Sequence, residues 1–281
     1  MTDRKAVAKE TLDIMRNGYY DMPSGTGKRI DLKADMEQSV RQSVLITPEQ
    51  GTELLMKYEK EQKEKGEHLN CKQQRVCNLS TVDAIRLLAG EGKTHIGVLN
   101  FASAKNPGGG FLNGAMAQEE SLAASSTLYR TLTAHEEYYR ENRSQKSMMY
   151  TDHGIYSPDV VFFRDGGFRL AEDPVRASVL TLPAVNMGQV IQKHEDVRQA
   201  EQVMKRRMKL ALAVFADHGD RNLILGAYGC GVFRNDPVLI AKWWKELLEE
   251  GFDCYFESVF HAVLDRSQNQ ACIRAFERIM K

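Results

Sequence analysis

Two apolar runs in this chain end in glycine loops, and that pattern restricts its fold more than any other feature. THIGVLNFA (94–102) leads through SAKNP into Gly108-Gly109-Gly110, and NLIL (222–225) leads into GAYGCG (226–231). Glycine admits positive φ and lets a backbone approach a ligand closely, so successive N–H groups can converge on an anion. Around these runs, strand-like and helix-like segments alternate from about residue 68 onward. QQRVCNL, VVFF (160–163), ASVLTLPAV (177–185) and FDCYFESVFHAVL read as strands. TVDAIRLLAGEG, with Ser80 or Thr81 as its cap, reads as a helix, and so do SLAASSTLYRTLTAHEEYYRE, VLIAKWWKELLEEG after Pro237, and ACIRAFERIM. DVRQAEQVMKRRMKLALAVFADHG is an amphipathic helix with Val197, Val203, Met204, Leu210, Ala211, Val214 and Phe215 on one stripe. The alternation predicts an α/β fold, a three-layer sandwich with a parallel or mixed sheet. Ligands of such sheets sit at the carboxyl ends of the strands, so both glycine loops should face one crevice if their strands are neighbours.

The first 67 residues read differently. RKAVAKETLDIMRNG is a helix ending at Gly18, followed by a turn-rich piece with Pro23, Gly25 and Gly27, and by a second helix that opens at Pro48 and becomes charged. We expect residues 1–67 to be a helical extension packed on a domain of residues 68–281. Lys plus Arg equals Asp plus Glu at 38 each, so no excess charge favours direct nucleic-acid binding. No apolar run approaches the roughly 18 residues of a membrane span, and the N-terminus lacks a signal-like apolar core. A cytoplasmic monomer with no membrane partner is expected. The 5 cysteines, Cys71 among them, show no C-x-x-C pair and read as free thiols. The 7 histidines, from His68 to His261, show no metal-ligand spacing, so neither a metal nor a cofactor is expected.

The chemistry concentrates near the first glycine loop. Gln118-Glu119-Glu120 follow Gly110 after seven residues, at a helix start. Carboxylates there suit the helix dipole, but capping does not need both acids. Neighbouring helical residues point about 100° apart, so one acid could meet a scissile bond while the other holds a sugar hydroxyl. A desolvated carboxyl beside another carboxylate keeps its proton more tightly, as a general acid at neutral pH must. The second loop, with Gly226, Gly229 and Gly231, suits a diphosphate cradle or, equally, a tight strand-to-helix turn. It is neither a Walker loop nor a G-x-G-x-x-G fingerprint.

The glycine triplet, seven residues and Q-E-E together resemble the signature of poly(ADP-ribose) glycohydrolases. NFASAKNPGGGFLNGAMAQEESLAASSTLY and LILGAYGCGVFRNDP resemble the bacterial-type branch, and the likeness extends over nearly the whole chain, YSPDVVFFRD (156–165) included. The resemblance implies a macrodomain-like α/β/α sandwich with a mixed sheet, and cleavage of ribose–ribose O-glycosidic bonds to release ADP-ribose. It implies Glu120 as the catalytic acid and Glu119 as the holder of ribose hydroxyls beside it. Gly108, Gly109 and Gly110, with Gly229, Cys230, Gly231 and Val232, would surround the diphosphate and distal ribose, with Gln118 and Gly226 beside them. Asn100 and Ser103 would face ribose or adenine, and Phe260 or its competitor Phe233 would pack on adenine. Poly(ADP-ribose), ADP-ribose and ADP-ribosylated proteins are the implied partners. The extension would restrict the cleft to chain ends, making the enzyme exo-acting. Three other readings stay open here. They are a non-catalytic ADP-ribose-binding macrodomain, a hydrolase of mono-ADP-ribosylated protein or nucleic acid, and an unrelated nucleotide-sugar enzyme of the same architecture.

Overall fold

A computed structural model describes residues 3–23, 27–65 and 73–281. The turn residue Gly25, His68, Cys71 and the expected boundary after Glu67 lie outside the described residues. The N-terminal segment forms α1 (Arg4–Asn17), the hairpin β1 (Tyr19–Asp21) and β2 (Arg29–Asp31), α2 (Lys33–Gln42), β3 (Val44–Ile46) and α3 (Pro48–Lys65). Then follow β4 (Gln73–Cys77), α4 (Thr81–Gly90), β5 (Ile96–Ala102), α5 (Gln118–Ser125), α6 (Leu128–Ala134), α7 (Glu136–Ser144), β6 (Gly154–Arg164) and β7 (Leu170–Pro183). The chain continues through α8 (Met187–Gln192), α9 (Val197–Asp217), β8 (Asn222–Leu225), α10 (Pro237–Leu247), β9 (Ser258–Ala262) and α11 (Ala271–Ile279).

The main sheet has 7 strands in the order β3-β6-β7-β5-β8-β9-β4. β7, β5, β8, β9 and β4 run parallel, whereas β6 is antiparallel to β7 and β3 to β6. The sheet is therefore mixed, as expected. Its inner parallel strands β7, β5, β8 and β9 are largely apolar on both faces, as burial under two helix layers requires, whereas β4 is a polar edge strand. Leu99, Leu180, Leu223 and Val259 pack on the side of α9 and α10; Val98, Val179, Ile224 and Phe260 pack on the side of α4. β5 and β8 are direct neighbours, so the two glycine loops do leave the sheet side by side.

The N-terminal segment is more than helical. Its β3 is an edge strand of the main sheet, in register with Tyr156, Ile155 and Gly154 of β6. Thr11 on α1 donates to the Ala124 carbonyl at 2.7 Å, and the buried Arg164 donates to Glu10 at 2.7 Å. These bonds fix α1 against α5 and β6.

Three expected elements differ. The single helix expected over 121–141 is three helices, because Ser126 turns extended and bridges Phe162 while Thr127 N–H donates to the Val161 carbonyl at 3.0 Å. Hydrogen bonds to the sheet replace helical ones at that point. The strand expected from Phe252 begins only at Ser258; Phe252 and Tyr255 instead close helical turns against Tyr58. Val197 is exposed and does not join the buried stripe of α9. Ser80, rather than Thr81, caps α4 by accepting from Asp83 N–H at 3.1 Å. Among the described residues no helix is long and apolar enough to cross a membrane.

Candidate active site

The glycine triplet holds the acids. Gly108 and Gly109 adopt φ of +64° and +60°, a conformation that bends the chain back over the start of α5. Glu120 accepts Gly110 N–H on Oε1 and Ala117 N–H on Oε2, both at 2.9 Å, so its carboxylate closes the loop between them. A Cβ at Gly109 would overlap Glu120 Oε1 and lie 3.1 Å from Glu119 Oε2. Glycine at this position lets the Glu120 carboxylate lie directly against the loop, in space that any side chain would take.

Glu119 is turned inward and is only 3 % exposed. Ser103 N–H donates to its Oε2 at 2.6 Å and Asn100 Nδ2 to its Oε1 at 3.3 Å. Burial raises its pKa to about 8, and the charge of Glu120 adds to the rise; the hydrogen bonds from Ser103, Asn100 and Gly108 oppose it. The tightly held proton that the sequence suggested for a general acid therefore belongs to Glu119. Asn100 also donates to Thr181 Oγ1 of the neighbouring strand at 3.1 Å, and its buried Oδ1 has no donor.

Gln118 does a different job from the one expected of it. β5 and β8 pair through Val98 and Ile224 and then part. Where they part, Gln118 Oε1 accepts Phe101 N–H at 2.9 Å and its Nε2 donates to the Leu99 carbonyl at 2.8 Å and to Thr81 Oγ1 at 3.3 Å. The carboxamide takes the place of a paired strand residue, with its oxygen and nitrogen both bonded inside the protein. Gln118 positions the acids that follow it.

The second loop is built for display. Gly229 has φ of +71°, and a Cβ there would strike Asn235 Nδ2 and Ala184 Cβ at 2.6 and 2.7 Å. Asn235 braces the loop by donating to the carbonyls of Val185 and Gly229 at 2.8 and 3.1 Å. Among the described residues, the N–H groups of Gly229, Gly231, Val232 and Phe233 have no acceptor within the protein. In the first loop, by contrast, Gly109 N–H goes to the Asn106 carbonyl and Gly110 N–H to Glu120. The two loops thus divide the work expected of both: one fixes carboxylates, the other offers free donors. Gly226 is tight for another reason, since a Cβ there would overlap the Ala262 carbonyl, and its own carbonyl accepts Trp244 Nε1 at 3.1 Å.

Phe260 lies outside the cleft. It is 1 % exposed in β9, packed in the core with the Arg75 guanidinium 5.1 Å from its ring. Strand alternation turns it toward the buried layer, so it is not available to adenine. Phe233 is half-buried at the loop's end with Tyr150 6.1 Å away, and it keeps that possibility. The sequence reading missed Thr181, whose register opposite Asn100 is set by the sheet, and Asn235, whose role depends on a contact across the loop. It expected the N-terminal extension at the cleft but did not name Arg4 and Val7 of α1, which line a small cavity beside Glu120 with Phe111, Ala115, Ala124 and Phe168. No local pattern marks such long-range neighbours.

A seven-stranded mixed α/β/α sandwich with a carboxylate pair and a glycine display loop at its strand ends is a macrodomain-like hydrolase architecture. Residues 8–165 match the family model "Microbial-type PARG, catalytic domain". The chain belongs to this family, and its enzymatic class is that of the poly(ADP-ribose) glycohydrolases, which are glycoside hydrolases. The solved poly(ADP-ribose) glycohydrolase from Thermomonospora curvata is 38% identical, with a TM-score of 0.90 and 98% of each chain covered. The same enzyme bound to the inhibitor ADP-HPD superposes with a TM-score of 0.88 at 39% identity, again over 98% of each chain. The Deinococcus radiodurans enzyme in complex with ADP-ribose is 41% identical, with a TM-score of 0.81, covering 88% of this chain and 97% of that one. Comparison with curated proteins finds no match.

Proposed function

We propose that this glycohydrolase removes ADP-ribose from the ends of poly(ADP-ribose) chains, with Glu120 as its acid and base. The observation that carries this reading is the placement of Glu120. Two backbone N–H groups hold its carboxylate against Gly109, next to the buried Glu119. Cleavage through an oxocarbenium-like state needs a proton on the leaving ribose oxygen and then a base for the attacking water. Glu120 gives the proton and afterwards takes one from the water. Glu119, fixed by Ser103 and Asn100, receives ribose hydroxyls. The N–H groups of Gly229, Gly231, Val232 and Phe233 bind the diphosphate, and the Phe233 ring packs on adenine. Gly108–Gly110 shape the ribose site without supplying diphosphate donors.

The exo preference rests on α1: its Arg4 and Val7 stand beside Glu120, where they would obstruct a chain that continues past the bond. ADP-ribosylated proteins would be the carriers from which the chains are trimmed.

Release of ADP-ribose from purified poly(ADP-ribose) tests the proposal. Glu120→Gln should lose on the order of 10²-fold or more in turnover, as removal of acid–base help does, while still binding ADP-ribose. Near-normal turnover would remove Glu120 from this role. A second reading has its own observation: the raised pKa of Glu119 makes it a proton donor at neutral pH. Under that reading Glu119→Gln is the inactive variant, and wild-type activity falls as pH rises through about 8. Early release of long oligomers would count against the exo preference.

A further inference from the structure

Two side chains of α7 bond to the turn 103–106, which joins β5 to the glycine triplet. Arg143 Nη1 donates to the Lys105 carbonyl at 2.8 Å, and Tyr138 Oη donates to the Ser103 carbonyl at 3.4 Å. α7 is itself fastened near its C-terminus, where the buried Asn142 accepts the N–H and the hydroxyl of Thr151 at 2.9 and 3.0 Å. Arg143 is exposed, and among the described residues no carboxylate pairs with it. Its charge is spent on a main-chain oxygen. Tyr139 supplies a contrast. It is as buried as Tyr138 and packs edge-on against it with ring centres 4.6 Å apart, but its hydroxyl has no partner among the described residues.

The turn that α7 holds lies between the donors of the two acids. Ser103 N–H, at its start, goes to Glu119, and Gly110 N–H, at the end of the triplet, goes to Glu120. Between them the chain is fixed stepwise. The Lys105–Asn106 peptide unit is planar, and it is gripped at both ends: its carbonyl by Arg143 and its N–H by Ser103 Oγ at 3.1 Å. The Asn106 carbonyl then accepts Gly109 N–H at 3.0 Å. Three consecutive glycines would otherwise leave this stretch many conformations. A hydrogen bond from a guanidinium is stronger than a neutral one, so Arg143 is the firmest of these external holds.

We propose that Arg143, assisted by Tyr138, is a positioning residue for glycosidic cleavage: it sets the turn that aims Ser103 N–H at Glu119 and Gly110 N–H at Glu120. It acts through the main chain and not on the sugar. When the Lys105 carbonyl is released, the peptide unit can rotate, Ser103 Oγ loses its place, and the two donors no longer keep a fixed spacing. Both carboxyls then lose part of the frame that holds them. The effect on turnover rests on the reading of Glu119 and Glu120 as the acids of the site; the effect on the turn does not.

The test measures kcat and KM for ADP-ribose release from poly(ADP-ribose), together with hydrogen–deuterium exchange over residues 103–110. The proteins compared are wild type, Arg143→Met, Arg143→Lys, Tyr138→Phe and Tyr139→Phe. Arg143→Met should lose about tenfold or more in kcat, as small misplacements of catalytic groups do, with KM within about twofold of wild type. Its amides over the turn should exchange faster, as expected of a local opening, while Tm stays near that of wild type because the side chain is exposed. Arg143→Lys, which can still donate to the carbonyl, should recover most of the loss. Tyr138→Phe should lower kcat, and Tyr139→Phe should leave it unchanged. Wild-type kcat in Arg143→Met overturns the proposal. So does a rise in KM at unchanged kcat, which would put the guanidinium on the substrate, and so does a loss of kcat with unchanged exchange over the turn. If Glu119→Gln and Glu120→Gln both stay active, the reading of the acids fails, while exchange still decides whether Arg143 holds the turn.

Discussion

Glu119 and Glu120 are chain neighbours that α5 turns in different directions, one under the sheet's edge and one toward the mouth of the cleft. Gly109 packs against both carboxylates, and a Cβ there would overlap Glu120 Oε1. Gly109→Ala is therefore a sharp probe. Its Cβ would push on Glu120 Oε1 in a backbone conformation that costs an L-residue roughly 1–2 kcal/mol. We expect a folded protein, with a modest fall in Tm, that loses about 10²-fold or more in turnover, as small misplacements of catalytic groups do. Unchanged kinetics would mean that the sugar approaches from elsewhere. His261 gives a second residue-scale prediction. It is fully buried in β9 beside Phe276, neither ring nitrogen has a partner among the described residues, and burial depresses its pKa to about 3. His261→Leu should stabilise the fold by roughly 1–3 kcal/mol, the cost of unsatisfied buried polar groups, with activity retained. A drop in Tm would show that the ring packs better than its hydrogen bonding suggests.

At the scale of elements, Gln118 and Glu119 tie the start of α5 to β5 and the turn after it, and Gln118 bonds the main chain of β5 itself. Gln118→Ala would leave Leu99 and Phe101 with unpaired main-chain groups and should destabilise by about 2 kcal/mol or more, with turnover falling because the acids lose their anchor. A variant with full stability and selective loss of ADP-ribose binding would instead return Gln118 to the substrate. The placement of α5 was readable in the sequence only in part. Periodicity found the long elements: α1, α9, β5 and the second half of β7 are where the apolar spacing puts them. It could not find β1, β2 and β3, because three residues are too few to show alternation. It joined α5, α6 and α7, since the break at Ser126 is made by Val161 and Phe162 on β6, far away in sequence. The site follows the same rule. Gly108–Gly110 and Glu119–Glu120 form a local motif and could be read directly. Which acid is buried, which loop keeps free donors and why Phe260 faces the core are decided by neighbours across the sheet.

For the whole molecule, the buried carboxyls set a pH dependence of stability. Glu119 has an ordinary value of 4.5 and about 8 when folded; Asp220, buried with Tyr156 Oη donating to it at 2.9 Å, goes from 3.8 to about 7. The native state holds both protons more tightly than the unfolded chain. Their stabilisation is complete below about pH 4, declines as pH rises, and is gone above about 8. Each tenfold difference in proton affinity between the folded and unfolded chain is worth about 1.4 kcal/mol. Tm differences between wild type and Glu119→Gln, or wild type and Asp220→Asn, should therefore grow in favour of the amide as pH rises from about 5 to about 8. A difference that is flat with pH would mean that the carboxyl titrates normally.

The carboxamide that stands in for a strand residue also makes a clock. The Phe101 amide hydrogen is held by a side chain, so it is released whenever the start of α5 lifts, even while the sheet stays intact. Its rate of exchange with deuterated solvent, compared with that of amides deeper in β5, would time how often α5 comes loose without any substrate present.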